Sequence, residues 1–482
     1  MDGSTEGSRP APRRRRLRVV AIVVAVLAAV AAVPFAIRAN GRSLLSEVRA
    51  RHAAAGLGTT ARDLAAILPR PNPDLQRRFD AAERALVGKL RPFTVRTEEV
   101  EEWIVGLRDD PPPSLDAALE SIRPVMEPYA AILREERLLL GNPSCLPLNE
   151  ATPNLPLRVL TSLSWSGVHV SREAAWWLRH AALRAADPGP HLDALDGQRR
   201  ASFHPASLID AMGAVAISGD RDRAYVELAL VGRLPSERAA KWLAEEPDHL
   251  RLGADGLRGE RLLFTNAVAD GLSDGSIGAE DVLPIRRSTG SPARIMTGLR
   301  ARSDLWLHGM EDAARLMEMQ ADAEVRLRGL PGTLDPATAH SWTEDSRPWT
   351  LLGGGGVYQS AQGYLYSYRG SAFDGRTTHR MARLVVRTLA FRTEQGRLPA
   401  SERELRAWLG AAAASMDLGH LDLRIRYENP AAGVLRLAPD MTSLPASFPG
   451  LKRAGPMSLF GSAASGKNFR WGPVGIEVHL AR

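Results

Sequence analysis

The chain has one cysteine, Cys145, among 482 residues. No intrachain disulfide can form, and no zinc or iron–sulfur site can be built from thiolates. A lone thiol between Ser144 and Leu146 reads as a small packing residue, the commonest role of free cysteine. Lysine is nearly as scarce, confined to Lys89, Lys241, Lys452 and Lys467, so the positive charge is almost all arginine. That bias is read as compositional, without functional content. The eleven histidines never fall at a His-x-x-x-His or His-Glu-x-x-His spacing, and no Asp-rich calcium loop occurs. Neither a metal nor a cofactor is therefore expected.

Long apolar runs are also missing, with one exception. Val19 to Ile37 contains 19 residues and no charge. As a helix it measures about 28 Å, against roughly 30 Å for a bilayer hydrocarbon core. Arg13, Arg14, Arg15, Arg16 and Arg18 precede it and outnumber Arg38 and Arg42 beyond it. The positive-inside rule then keeps the tail, residues 1–18, in the cytoplasm and puts the body on the outer side of the cell membrane. A cleaved signal peptide would have a shorter apolar core and a small-x-small site after it. Here the run ends Pro34-Phe35-Ala36-Ile37-Arg38 without such a site, so a retained single-pass anchor in contact with the lipid bilayer over residues 19–37 is expected.

The net charge of +7 and pI near 9.9 invite a nucleic-acid reading until the charges are located. Eight of the 62 basic and two of the 55 acidic residues precede residue 43, which leaves 54 against 53 for the remainder. The basic character belongs to the membrane flank. A nearly neutral body has no global field for polyanions, and no nucleic-acid partner is expected.

The body is too long for a single core and suggests two or three units. Proline and glycine place the joints: the proline-rich segment 141–156, the stretch 328–356 ending in Gly353 to Gly356, and shorter breaks at 187–190, 253–259 and 284–292. The division expected is a basic tail 1–18, a transmembrane helix 19–37, a helical region 43–140, a helical-hairpin domain 157–330 and a terminal α+β unit 357–482. Between breaks the apolar period is helical: 60–90, then 115–140 split by Pro124 and Pro128, then 174–186 with Trp176, Trp177 and Leu178 on one side. Short helices are expected at 205–215, 222–231 and 237–246. A longer one is expected at 311–328, with Leu316, Met317 and Met319 on its stripe. Strands concentrate at the end, where 421–427 alternates, Asn429 to Gly433 turns, 434–437 returns and 476–480 can add a third. A hairpin alone is barely stable, so helix 381–393 is its natural support. The fold class is mainly α, with a TPR- or solenoid-like body and a small α+β unit.

Gly232-Arg-Leu-Pro235 before Trp242 parallels Gly396-Arg-Leu-Pro399 before Trp408. Each reads as a helix ending in a left-handed glycine, a Pro turn and a new helix under a Ser cap, with Ser401 and Glu404 as a capping box. No further copy occurs at a fixed period. The anchor, the Ala/Leu/Arg-rich hairpins over about 171–330, and Phe391-Arg-Thr-Glu-Gln-Gly396-Arg-Leu-Pro399 before a short hairpin together resemble single-pass bacterial envelope proteins. That resemblance implies no activity.

Two motifs fail in context. Gly461 to Lys467 matches a phosphate loop, but Asn468 replaces the Ser or Thr that holds magnesium, and Trp471-Gly-Pro473 prevents the required helix. Gly271-Leu-Ser273-Asp-Gly275 has the spacing of a nucleophile elbow without a preceding strand. No catalytic residue is expected. Four of the seven tyrosines fall at Tyr358, Tyr364, Tyr366 and Tyr368, below Trp342 and Trp349. If that stretch is extended, Tyr364, Tyr366 and Tyr368 share a face and, with Trp349 and Tyr358, offer a stacking surface for a glycan or peptide. If it is helical they spread around the axis. The function expected is a non-catalytic, membrane-anchored interaction or scaffolding protein with a protein partner. The competing expectation is an exported hydrolase assembled from distant residues, including Ser273.

Overall fold

The computed structural model describes residues 12–60, 62–64, 72–87, 120, 123–124, 127–140, 174–202, 205, 207–276, 292–329, 356–416, 425–430, 434–439, 464–466, 469–471 and 476–479. Cys145, Trp342, Trp349 and the segment 141–156 lie outside them. The described chain is mainly helical with one small sheet. Its helices are α1 (Pro12–Ala54), α2 (Pro73–Val87), α3 (Ala130–Leu140), α4 (174–184), α5 (Gly189–Ser202), α6 (Leu208–Leu230), α7 (Ser236–Ala244), α8 (His249–Gly259), α9 (Asn266–Asp274), α10 (Pro292–Gly329), α11 (Gly356–Gln395) and α12 (Glu402–Leu409). They divide between two compact units.

The first unit comprises 1–57, 268–318 and 348–358. Its α1 runs for 43 residues, about 64 Å at the α-helical rise, so the apolar run and the polar stretch beyond it form one rod. Among the described residues α1 is the one helix long and apolar enough to cross a membrane, and none of its apolar window is buried. From Pro34 onward α1 acquires a packed side. Leu45 and Val48 are buried against Ala269, Ala313, Ala314 and Met317. A Cβ on Gly41 would lie 3.2 Å from the backbone nitrogen of Glu311, which marks a close crossing of α1 and α10. Contacts advance together along the two helices, Phe35 on Trp306 and Arg51 on Glu318, so α1 and α10 run parallel. Along α9 they run in reverse, Arg49 to Asp270 and Arg42 to the Ser273 carbonyl, so α9 is antiparallel to α1.

The second unit comprises 58–267, 319–347 and 359–482. Its largest core joins Leu178 and Leu183 of α4, Leu192 and Leu195 of α5, Ile217, Tyr225 and Leu228 of α6, Trp242 of α7 and Met381, Leu384 and Val385 of α11 to the inner face of the sheet. The sheet order is β1-β2-β5-β4-β3, all neighbours antiparallel, with β1 at Ile425–Glu428, β2 at Val434–Pro439, β3 at Ala464–Gly466, β4 at Phe469–Trp471 and β5 at Ile476–His479. Ile425, Tyr427, Leu435, Leu437 and Ile476 are its buried residues, the period-2 face that the sequence alternation predicts. Helix α11 supports that face, as expected for 381–393. Ser401 Oγ accepts from the Glu404 amide at 3.2 Å and Glu404 accepts from the Ala400 amide at 2.5 Å, so the box forms with its return bond one residue early. Gly232 and Gly396 both take positive φ, as the two turns require.

Three local expectations are corrected. The helices expected at 205–215 and 222–231 are one helix, α6, capped by Ser207, whose side chain accepts from the Asp210 amide. Gly219 costs that helix on the order of 1 kcal/mol, and burial along both halves outweighs it. The break expected at 253–259 is helix α8 continuing through a π-helical turn, Glu260–Thr265, into α9. Its glycines serve packing rather than turning, since a Cβ on Gly256 would stand 2.8 Å from the Ser207 carbonyl oxygen. Before α7 the cap position is Pro235 and no side chain caps it, so Ser236 lies inside the helix.

Gly256→Ala is expected to separate α8 from α6 and to cost roughly 1–3 kcal/mol. Chemical denaturation of the variant against wild type checks this, and an unchanged midpoint would mean that the helices part without strain.

Candidate functional site

The second unit holds a buried cluster of titratable side chains drawn from four helices. Helix α5 contributes Asp196 and Arg199, α6 contributes Arg221, Asp222 and Tyr225, and α11 contributes His379. Trp242 of α7 and the following Glu245 close it. Asp222 and His379 are each about 1 % exposed or less. His379 Nδ1 lies 2.9 Å from Asp222 Oδ2, and Trp242 Nε1 donates to Asp222 Oδ1 at 2.9 Å. His379 Nε2 lies 3.1 Å from the Glu245 carbonyl oxygen. Tyr225 stacks on Trp242 with ring centroids 5.0 Å apart. Arg221 pairs with Asp196 through Nε and stands 2.8 Å from Glu245, which Arg199 also reaches at 2.9 Å.

An Asp–His pair suggests base catalysis, and the geometry argues for a lock. A catalytic histidine aims its second nitrogen at a nucleophile. Here that nitrogen meets a backbone carbonyl, which only accepts. Both ring nitrogens therefore lie against fixed oxygens, one a carboxylate and one a backbone carbonyl. Burial pushes the Asp222 carboxyl up, but the His379 ring, Arg221 and the Trp242 N–H together hold it below the usual carboxylate range. The pair thus ties α11 to α6 and α7. Glu246 extends the tie outward, taking Arg380 at 2.9 Å and Arg383 at 2.8 Å.

Buried arginines repeat this arrangement elsewhere in the unit. Glu324, fully buried, receives Arg258 at 2.6 Å, Arg261 at 2.8 Å and Arg328 at 3.2 Å. Arg179 pairs with Asp220 at 2.7 Å. The arginine bias, read from sequence as empty of content, supplies guanidinium forks that a lysine cannot replace.

None of the residues singled out from sequence is a member of this cluster. Tyr358, Tyr364, Tyr366 and Tyr368 lie within α11, so the extended arrangement with a shared face does not occur and the helical alternative does. Trp349 lies outside the described residues. Ser273 sits in the last turn of α9, exposed, with no strand before it and no elbow. Ala464–Gly466 of the phosphate-loop look-alike is a strand paired with Phe469–Trp471 in a hairpin. Among the described residues no group of three His, Cys, Asp or Glu side chains is placed to hold a metal ion. Asp222 and His379 themselves gave no sequence signal, being 157 positions apart without a local motif. Comparison with protein-family models, curated proteins and solved structures finds no match.

Two buried groups set opposite pH slopes. His249 is pushed down to about 4, by burial first and by the His379 charge second. It binds its proton less readily when folded, so it destabilises as pH falls from its ordinary 6.5 towards 4. Glu260 is pushed up to about 7 by burial, although the Leu208 amide opposes this, so it destabilises as pH rises from 4.5 to about 7. Glu260→Gln is expected to steepen the acid-side loss of Tm between pH 6.5 and 4.5, and His249→Leu to remove or reverse it. Thermal melts at several pH values in that window test both. For the lock, His379→Ala is expected to cost about 3–5 kcal/mol by removing the ring that meets the buried Asp222 carboxylate. His379→Ala combined with Asp222→Ala should cost less than the sum of the singles, measured as a double-mutant cycle.

Proposed function

We propose that this chain is a retained single-pass protein of the bacterial envelope, with residues 1–18 in the cytoplasm and the body on the outer side. In this reading the body is a non-catalytic scaffold whose solvent-facing helical hairpins, stacked in solenoid fashion, present a contact face to a protein partner. The observation that carries the reading is the division of α1. Val20 to Val33 are exposed throughout, while from Pro34 the same helix packs into a bundle. Exposed Val, Ile and Leu along about 21 Å of helix carry a hydration cost of several kcal/mol that lipid removes. The arginine asymmetry across the run gives the orientation.

The non-catalytic part rests on the fate of the reactive side chains. The most buried acid–base pair is closed on both sides by fixed partners, and Ser273 has no base in hydrogen-bond reach among the described contacts. The charge balance supports a protein partner over a polyanion, because the body beyond residue 42 is nearly neutral.

Membranes from cells expressing the full chain are expected to retain it through alkaline carbonate and high salt and to release it in detergent. Deleting residues 1–42 is expected to put the body in the soluble fraction. Release of the full chain by carbonate would contradict anchoring.

A further inference from the structure

The apolar run and the packed bundle overlap. The uncharged segment ends at Ile37, yet the bundle already covers α1 at Pro34. Over those four residues, about 6 Å of helix, Pro34 and Ile37 are part-covered while Phe35 and Ala36 stay exposed. The bare part, Val20 to Val33, measures about 21 Å, well short of the roughly 30 Å of a hydrocarbon core. A bilayer of ordinary thickness around α1 must then meet the end of the bundle.

What stands at that level suits a lipid boundary. Phe35 is 66 % exposed and meets Trp306 of α10 edge-on, with ring centroids 6.0 Å apart. Trp306 is itself 43 % exposed, an unusual state for the largest apolar side chain in an aqueous bundle. The Arg38 guanidinium lies 5.1 Å from the centre of the Trp306 ring, and donates to the Leu272 carbonyl at 2.8 Å and the Trp306 carbonyl at 3.2 Å. The first bond satisfies a carbonyl in the last turn of α9, the second reaches a mid-helix carbonyl of α10, and together they hold the charge at the edge of the apolar zone. Tryptophan with arginine at the end of an apolar run is the side-chain chemistry of the membrane interface. Because α10 runs parallel to α1, its residues before Trp306 lie on the membrane side of this level, and the sequence there, 292–305, carries Arg294, Arg300 and Arg302 against one acidic residue, Asp304.

We infer that the Trp306 end of the first unit is a lipid-contacting surface, seated in the outer phospholipid headgroup layer with Phe35, Arg38 and Trp306 at its rim. The inference rests on the anchor reading of α1 and adds a depth to it. The body does not hang from a tether in this arrangement; it is wedged into the outer leaflet at a fixed height.

Depth measurement by spin labelling tests it. The full chain carrying Cys145→Ser is labelled at one of three exposed positions, Val26→Cys in the bare run, Ser303→Cys one helical turn before Trp306, and Ser46→Cys about 12 Å beyond Arg38, then reconstituted in phospholipid vesicles. Accessibility to oxygen relative to a water-soluble nickel chelate is the readout. The expected order is Val26 most oxygen-accessible, Ser46 most chelate-accessible and Ser303 between them, with Trp306→Ala shifting the Ser303 value towards that of Ser46. Equal values at Ser303 and Ser46, with Val26 still in the hydrocarbon, overturn the wedge while leaving the anchor intact. Chelate access at Val26 equal to that at Ser46 overturns the anchor reading and the wedge with it.

Discussion

Helix α1 is bare over one stretch and packed over the next, and the proposed anchor rests on that change. Helix α1 is fully exposed over Val20 to Val33 and bears Leu45 and Val48 in a tight apolar seam little more than two turns after its last apolar residue. Water could accept neither the bare length nor its cost, and lipid could accept neither Arg42 nor Glu47 on the continuation. The continuous backbone between them makes the transition abrupt, with Pro34 and Arg38 at the change. The anchor and the wedge proposed at Trp306 both rest on that continuity, and the proposed orientation rests on the arginine asymmetry across the run.

The second unit is held by a different rule. Its interior is apolar in the ordinary way around Leu192, Ile217 and Leu384, yet it also encloses Arg179, Arg221 and Arg261. Each of these meets carboxylates supplied by another helix, or by a distant turn of its own, so the pairs select one packing among many apolar ones. Breaking such a pair is costly even where replacing it whole would not be. The Arg261–Glu324 and Asp222–His379 contacts are both almost fully buried. A chain with few lysines can build the arginine pairs because guanidinium reaches two acceptors in a plane.

Much of this was legible in sequence and some was not. The apolar run, the hairpin at 425–439, the capping box at Ser401 and the support from 381–393 each depend on residues close in sequence, where period and cap chemistry are sufficient. The errors share a cause. Gly219, Gly253 and Gly256 fall where breaks between helices were expected, because a glycine needed for close approach looks the same in one dimension as a glycine needed for a turn. Only the partner surface, Ser207 against Gly256, tells them apart. The tyrosine cluster reads both ways in sequence, and the helical alternative is the one found, since Tyr364, Tyr366 and Tyr368 alternate like a strand while lying in a 40-residue helix. The Asp222–His379 pair spans helices whose sequences carry no mark of each other, so no local reading reaches it.

The central claim is that α1 crosses the membrane intact, with the tail inside and the packed half outside. Its most direct test is sided labelling in intact cells, using a membrane-impermeant maleimide on the Cys145→Ser chain with a single cysteine at Ser4→Cys or Ser46→Cys. The account predicts that Ser46→Cys reacts from outside and that Ser4→Cys reacts only after permeabilisation and remains part of the full-length chain. Reaction of Ser4→Cys from outside, or its loss from the mature protein, would contradict it.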